Sequence, residues 1–142
     1  MQNVIKFIVL ILLISCDPGP VMVTKHGVKV MINEPGWAVK DMEDREAKFM
    51  KDLDQLGYPA ELVLTVLPMV QAFIYNKSIP CQNANGCNGT TFLNKVSVRN
   101  LGSPAKSAYC HELLHFLQWK LYNVSDPEHK DLVLWKVADD QT

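Results

Sequence analysis

Apolar positions along the chain fall into three patterns. The first is a solid run: after Lys6, residues 7–14 are all apolar, and Ser15, Cys16, Asp17 and Pro18 end it. Such a run is too short to span a bilayer as a helix, which takes about 20 residues, but it suits the apolar core of an export signal. The second pattern is short and β-rich. Residues 21–24 and 28–32 read as two strands joined through Lys25, His26 and Gly27, which leaves His26 on a surface turn. A turn at 33–36 follows. The third pattern is helical: over 39–56, Met42, Phe49, Leu53 and Leu56 share one stripe, charged residues fill the rest, and Gly57 ends the helix. Residues 61–75 are apolar but broken by Pro68, and read as two strands or as a helical turn before a strand at 70–75. Alternation predicts one strand over 91–98. Ser103 and Pro104 mark the start of a helix that runs to about Tyr122, since Ser caps exposed amides and Pro suits the first helical position. The expected architecture is α+β, a mixed or antiparallel sheet packed on a backing helix and this last helix.

Composition changes this picture little. With 48% apolar residues, 20% charged residues and a net charge of −1, the chain is globular and has no basic footprint for nucleic acid. Its 142 residues suit a single domain.

The N-terminus is more informative. Leu13-Ile14-Ser15-Cys16 resembles the lipobox of bacterial lipoproteins, a small residue standing just before a cysteine. That resemblance implies a signal peptide over 1–15, lipidation of Cys16, a short linker over 16–20 and a domain over 21–142. It also implies attachment to a membrane of the bacterial cell envelope, facing outside the cytoplasm. An ordinary signal peptide or a buried N-terminal strand are the alternatives. Export exposes cysteines to oxidation, so Cys81 and Cys87 are a candidate disulfide, a short ring that stabilises by about 2 kcal/mol. Cys110 is then left over as a buried helix residue, although it could pair with either of the other two.

The helix after Ser103 carries His111-Glu112-Leu113-Leu114-His115. Residues four apart on a helix lie one turn above each other on the same face, so the two imidazoles can converge on one tetrahedral zinc ion. Glu112 is angled aside from the first histidine. It can accept a proton from a water that zinc has acidified, as general base for attack on a carbonyl. Leu113, Leu114, Phe116, Leu117 and Trp119 make the surroundings apolar, where titratable groups rarely sit without partners. His129, after Ser125-Asp126-Pro127-Glu128, is the candidate third ligand, with Asp126, Glu128 and Asp131 as alternatives. Asp126 or Asp131 could instead orient a ligand histidine. Tyr109, Tyr122 and Arg99 are possible oxyanion stabilisers, none of them assigned.

These residues resemble the zincins, metallopeptidases built around HExxH on an active-site helix. The resemblance covers the C-terminal third closely and the rest only in general order. Gln118 and Leu121 stand where metzincins carry a glycine and a third histidine, and no Glu follows Glu128 as a gluzincin ligand would. What the resemblance implies is a minimal exported zincin with one zinc per chain, a peptide or protein as substrate, and a downstream His or Asp as third ligand. It also implies an edge strand beside the cleft, for which 91–98 is the candidate. The competing reading is a non-catalytic zinc-binding envelope lipoprotein that serves as an interaction or structural module.

Overall fold

A computed structural model describes residues 21–32, 37–79, 81, 86–126 and 128–139. The export and lipidation signals, Cys16 included, lie outside them. The element order is β1 (Met22–Val23), β2 (Lys29–Ile32), α1 (Val39–Asp54), α2 (Ala60–Val66), a 3₁₀ turn (Leu67–Met69), β3 (Gln71–Tyr75), β4 (Gly89–Phe92), β5 (Lys95–Arg99), a second 3₁₀ turn (Pro104–Lys106), α3 (Tyr109–Tyr122) and α4 (Leu132–Asp139). The fold is α+β, as expected. No described helix is long and apolar enough to cross a membrane.

The five strands form one mixed sheet in the order β1-β2-β3-β5-β4. β2 and β3, and β3 and β5, run parallel, while β1 and β4 are antiparallel to their neighbours and form the two edges. Val30, Ala72 and Val96 are paired across three strands, as are Ile74 and Val98 across two, and all five are fully or almost fully buried. They make the apolar face of the sheet, and α3 packs on its β4–β5 end. Leu113, Leu114 and Leu117 of α3 are at most 1% exposed, each contributing about 1.5–3 kcal/mol of apolar burial. A helix apolar on so many sides must be central, and α1, α2 and α4 cover the rest of α3.

Several expectations are corrected. Residues 91–98 are not one strand. Leu93 and Asn94 form a two-residue turn between β4 and β5, with Phe92 paired to Lys95. Leu93 has φ of 54°, a left-handed conformation for which leucine is a poor signal, and so alternation runs through the turn unbroken. Ser103 and Pro104 do begin a helical turn, and Ser103 Oγ accepts from Lys106 N, but only one 3₁₀ turn forms. Ser107 is extended, and α3 starts afresh at Tyr109. The end of α3 matches expectation: Asn123, at φ 52°, caps it, and its N–H and that of Val124 bond back to Trp119 and Gln118 carbonyls. Residues 61–75 take the helical option, α2 and a 3₁₀ turn before β3.

The charged side of α1 is not all outward. Glu46 is 1% exposed and accepts from Tyr109 Oη at 2.6 Å, while its other oxygen lies 2.7 Å from His26 Nδ1. His26 is therefore a clasp between the β1–β2 hairpin and α1, not a surface residue. Arg45, also buried, donates to the carbonyl of Ala138 at the end of α4, where helix carbonyls lack intrahelical partners. A carboxylate and a guanidinium enter the interior because each meets a partner from another element, which a single-helix periodicity cannot anticipate. Cys81 and Cys87 form the disulfide, with Cα atoms 5.9 Å apart, and Cys110 is a free, buried thiol. Burial pushes the Cys110 thiol up to about 12, so it remains protonated and inert.

Candidate metal centre

Helix α3 presents His111 and His115 on one side, one turn apart, with ring centroids separated by 5.0 Å. The loop after Asn123 brings His129 to them. Its ring centroid lies 4.6 Å from that of His111 and 5.2 Å from that of His115. One nitrogen from each of the three rings can be chosen so that all lie within 4.8 Å of one another. His115 and His129 bring their Nε2 atoms to 3.2 Å. Two nitrogens on a tetrahedral zinc, each about 2.0–2.1 Å from the ion, stand roughly 3.3–3.4 Å apart. The three-imidazole donor set suits zinc, and the His115–His129 separation matches that spacing.

His129 reaches this position at a backbone cost. It has φ of 51°, and its N–H is held by the carbonyl of Asp126. Left-handed non-glycine residues persist where surroundings over-determine them, and they gather at functional sites. Of the alternatives considered for the third ligand, Asp126 accepts from Trp135 Nε1 at 2.9 Å and from the amide of Lys130. These bonds, the indole's first, lower its pKa. Asp131 caps α4 by accepting from Leu134 N. Glu128 pairs with Lys130. None of the three joins the converging set.

Helix α4 was not expected from the sequence, yet it packs Trp135 and Asp139 against the imidazoles. Trp135, 3% exposed, lies against all three imidazoles at centroid distances of 4.8, 4.5 and 4.0 Å from His111, His115 and His129. Asp139, at its C-terminal end, sets an Oδ1 2.7 Å from His111 Nδ1. That contact occupies one ring nitrogen and leaves Nε2 available to a metal, the arrangement a carboxylate takes behind a metal-binding histidine. A signal for α4 existed: Asp131 precedes a mostly apolar stretch, interrupted by Lys136, with Leu134, Trp135 and Ala138 at helical spacing. Asp139→Asn is expected to weaken zinc binding about 10–100-fold, measured by competition with a chromophoric chelator. An unchanged dissociation constant would deny Asp139 an orienting role.

Burial, with the positive potential of His111 and His129 adding to it, pushes His115 down to about 4. At neutral pH its ring is uncharged and a lone pair is available.

Glu112 is angled aside from the two histidines, towards β4, and is 5% exposed. The Thr91 hydroxyl lies 2.6 Å from Glu112 Oε2 and 2.9 Å from the Glu112 carbonyl oxygen. Glu112 Oε1 lies against Gly89, where an added Cβ would come within 2.6 Å of it and 2.9 Å of Ala108 Cβ. Only glycine lets strand and helix approach this closely. Burial raises the Glu112 pKa, opposed first by the Thr91 hydrogen bond and then by His111. Sequence reasoning missed Thr91 and Gly89 as partners of Glu112, because the contact depends on the β4–β5 turn.

A cleft of about 450 Å³ opens here, with β4 and the β4–β5 turn on one wall and Glu112, His115, Phe116 and Trp119 on the other. In the β4–β5 register, Arg99 N bonds to Asn88 O, so Thr90 and Phe92 face β5 with their backbone groups, while those of Gly89 and Thr91 face the unpaired edge. Two of the candidate oxyanion donors are otherwise engaged: Tyr109 with Glu46, and Tyr122 with the carbonyl of Gly57. In comparisons with known proteins, no family model, curated protein or solved structure matches the chain.

Proposed function

We propose that this chain is a zinc-dependent metallopeptidase of the HExxH type, exported and lipid-anchored at Cys16, with peptides or proteins outside the cytoplasm as substrates. One observation carries the reading: three imidazoles converge on a single point while a buried carboxylate of elevated pKa, one residue along the same helix, lines the cleft that His115 also lines. His111, His115 and His129 would hold zinc. When bound there, zinc supplies Lewis acidity, acidifying a water and polarising a carbonyl.

The chain's own residues account for the rest. Asp139 holds the His111 ring in register, and Trp135 keeps water from the far side of the three imidazoles. Thr91 steadies Glu112 Oε2, so that Oε1 is the oxygen that takes a proton during attack and returns it to the departing amine. Burial disfavours the charged form and raises the Glu112 pKa, which makes the carboxylate a stronger proton acceptor than an exposed glutamate. The outward N–H and C=O groups of Gly89 and Thr91 offer an extended substrate two-point main-chain pairing beside this carboxylate.

The test is reconstitution of the stripped, purified protein. The expected result is one zinc per chain, a raised melting temperature, and hydrolysis of a mixed fluorogenic peptide library that chelation abolishes. One zinc without hydrolysis would leave only a structural zinc module. Less than one would remove both.

A further inference from the structure

The cleft beside Glu112 has a particular chemistry. Among the described residues its lining includes no lysine or arginine, and Glu112 is the one carboxylate in it. Around the rim, large apolar side chains stand in water: Phe92 is 70% exposed, Leu93 57%, Val124 46% and Trp119 41%. A contiguous apolar rim of this kind marks a binding surface more often than an accident of composition. Leu93 and Trp119 also line a second depression, with Met69, Asn94 and Lys120, so the two form a ridge between neighbouring hollows.

Leu93 is the informative residue. It holds φ of 54° at the first central position of a two-residue turn whose second residue, Asn94, has no positive φ, a position that favours glycine. Its side chain is too exposed to repay that strain by burial within the fold. A leucine kept in a left-handed conformation and in water gains from something outside the chain.

We infer that the Leu93–Trp119 ridge makes this cleft selective for a bulky apolar side chain, of the Phe or Leu class, carried by a peptide paired along the unpaired edge of β4. Alternate side chains of such a peptide point to the face on which α3 packs, which directs one of them between Leu93 and Trp119. A carboxylate side chain shares this cleft with Glu112, while Lys120 Nζ stands 5.6 Å from the Trp119 ring centroid, and a small side chain leaves the rim wet. The inference rests on the peptidase reading for its substrate, and the two can fail separately.

The probe is a set of dipeptide hydroxamates identical except for the side chain next to the chelating group: methyl, isobutyl, benzyl or carboxymethyl. Binding to the zinc-loaded protein is measured by calorimetry, and matching peptides are assayed for cleavage. The isobutyl and benzyl compounds are expected to bind at least about tenfold tighter than the methyl and carboxymethyl ones. Trp119→Ala and Leu93→Gly should each cut that ratio below about threefold with zinc stoichiometry retained; glycine adopts a positive φ without steric cost, which guards against a folding artefact. Equal binding of methyl and benzyl compounds, or a preference that survives both substitutions, overturns the proposal. Discrimination among hydroxamates without any peptide cleavage supports the pocket and removes the peptidase reading. Cleavage without side-chain preference does the opposite.

Discussion

Glu112→Gln is expected to lower peptide hydrolysis by about 10²–10⁴-fold, the range general-base catalysis contributes, or roughly 3–5 kcal/mol of transition-state stabilisation. The substitution is close to isosteric. The amide fits the gap left by Gly89, and its oxygen can still accept from Thr91, so the fold and the cleft should persist. What disappears is the capacity to take and return a proton. Zinc content, measured by atomic absorption on the same preparation, should stay at one per chain, because Glu112 is not among the converging nitrogen donors. Activity within about twofold of the parent would remove Glu112 from the chemistry, and loss of zinc would recast it as a ligand or its support.

His129→Ala bears on the metal itself. A structural site with four ligands binds zinc with about 10–16 kcal/mol, so an even share gives roughly 10²–10³-fold in affinity for one ligand. That exceeds what Asp126→Ala should cost, since Asp126 acts at a distance by holding Trp135 Nε1 and the amide of Lys130. Competition titrations of the two variants order them. If Asp126→Ala proves the more damaging, the third ligand has been misassigned, and the 3.2 Å approach of the His115 and His129 nitrogens would be a hydrogen bond between imidazoles. Calorimetric melting with and without zinc adds an independent measure, because a metal bound only by the folded chain raises its apparent stability by mass action.

How the site is divided among elements explains what could be read early. The pair His111–His115 and the flanking Glu112 are neighbours through one regular helix, and helical geometry alone sets the two imidazoles side by side with the carboxylate at their margin. The cap at Asn123, the β1–β2 hairpin and the short disulfide ring between Cys81 and Cys87 are likewise local. Where the signal failed, a local preference was overruled or unspecific. Leu93 turns the chain in a conformation leucine seldom takes, and the true edge strand was hidden behind it. Glu46 and Arg45 lie on what periodicity assigns to the outer side of α1, but Tyr109, His26 and the end of α4 come to meet them.

By itself, then, the sequence determined an α+β chain, the helix that bears the histidine pair, and the nearness of Glu112 to that pair, because these depend on spacings within single elements. Only the tertiary structure decided that His129 rather than Asp126 meets that pair, that α4 backs it with Trp135 and Asp139, and that β4 sets Gly89 and Thr91 against Glu112. Those contacts join residues up to 28 positions apart. They arise from how elements pack around α3, and no periodicity within one element carries that information.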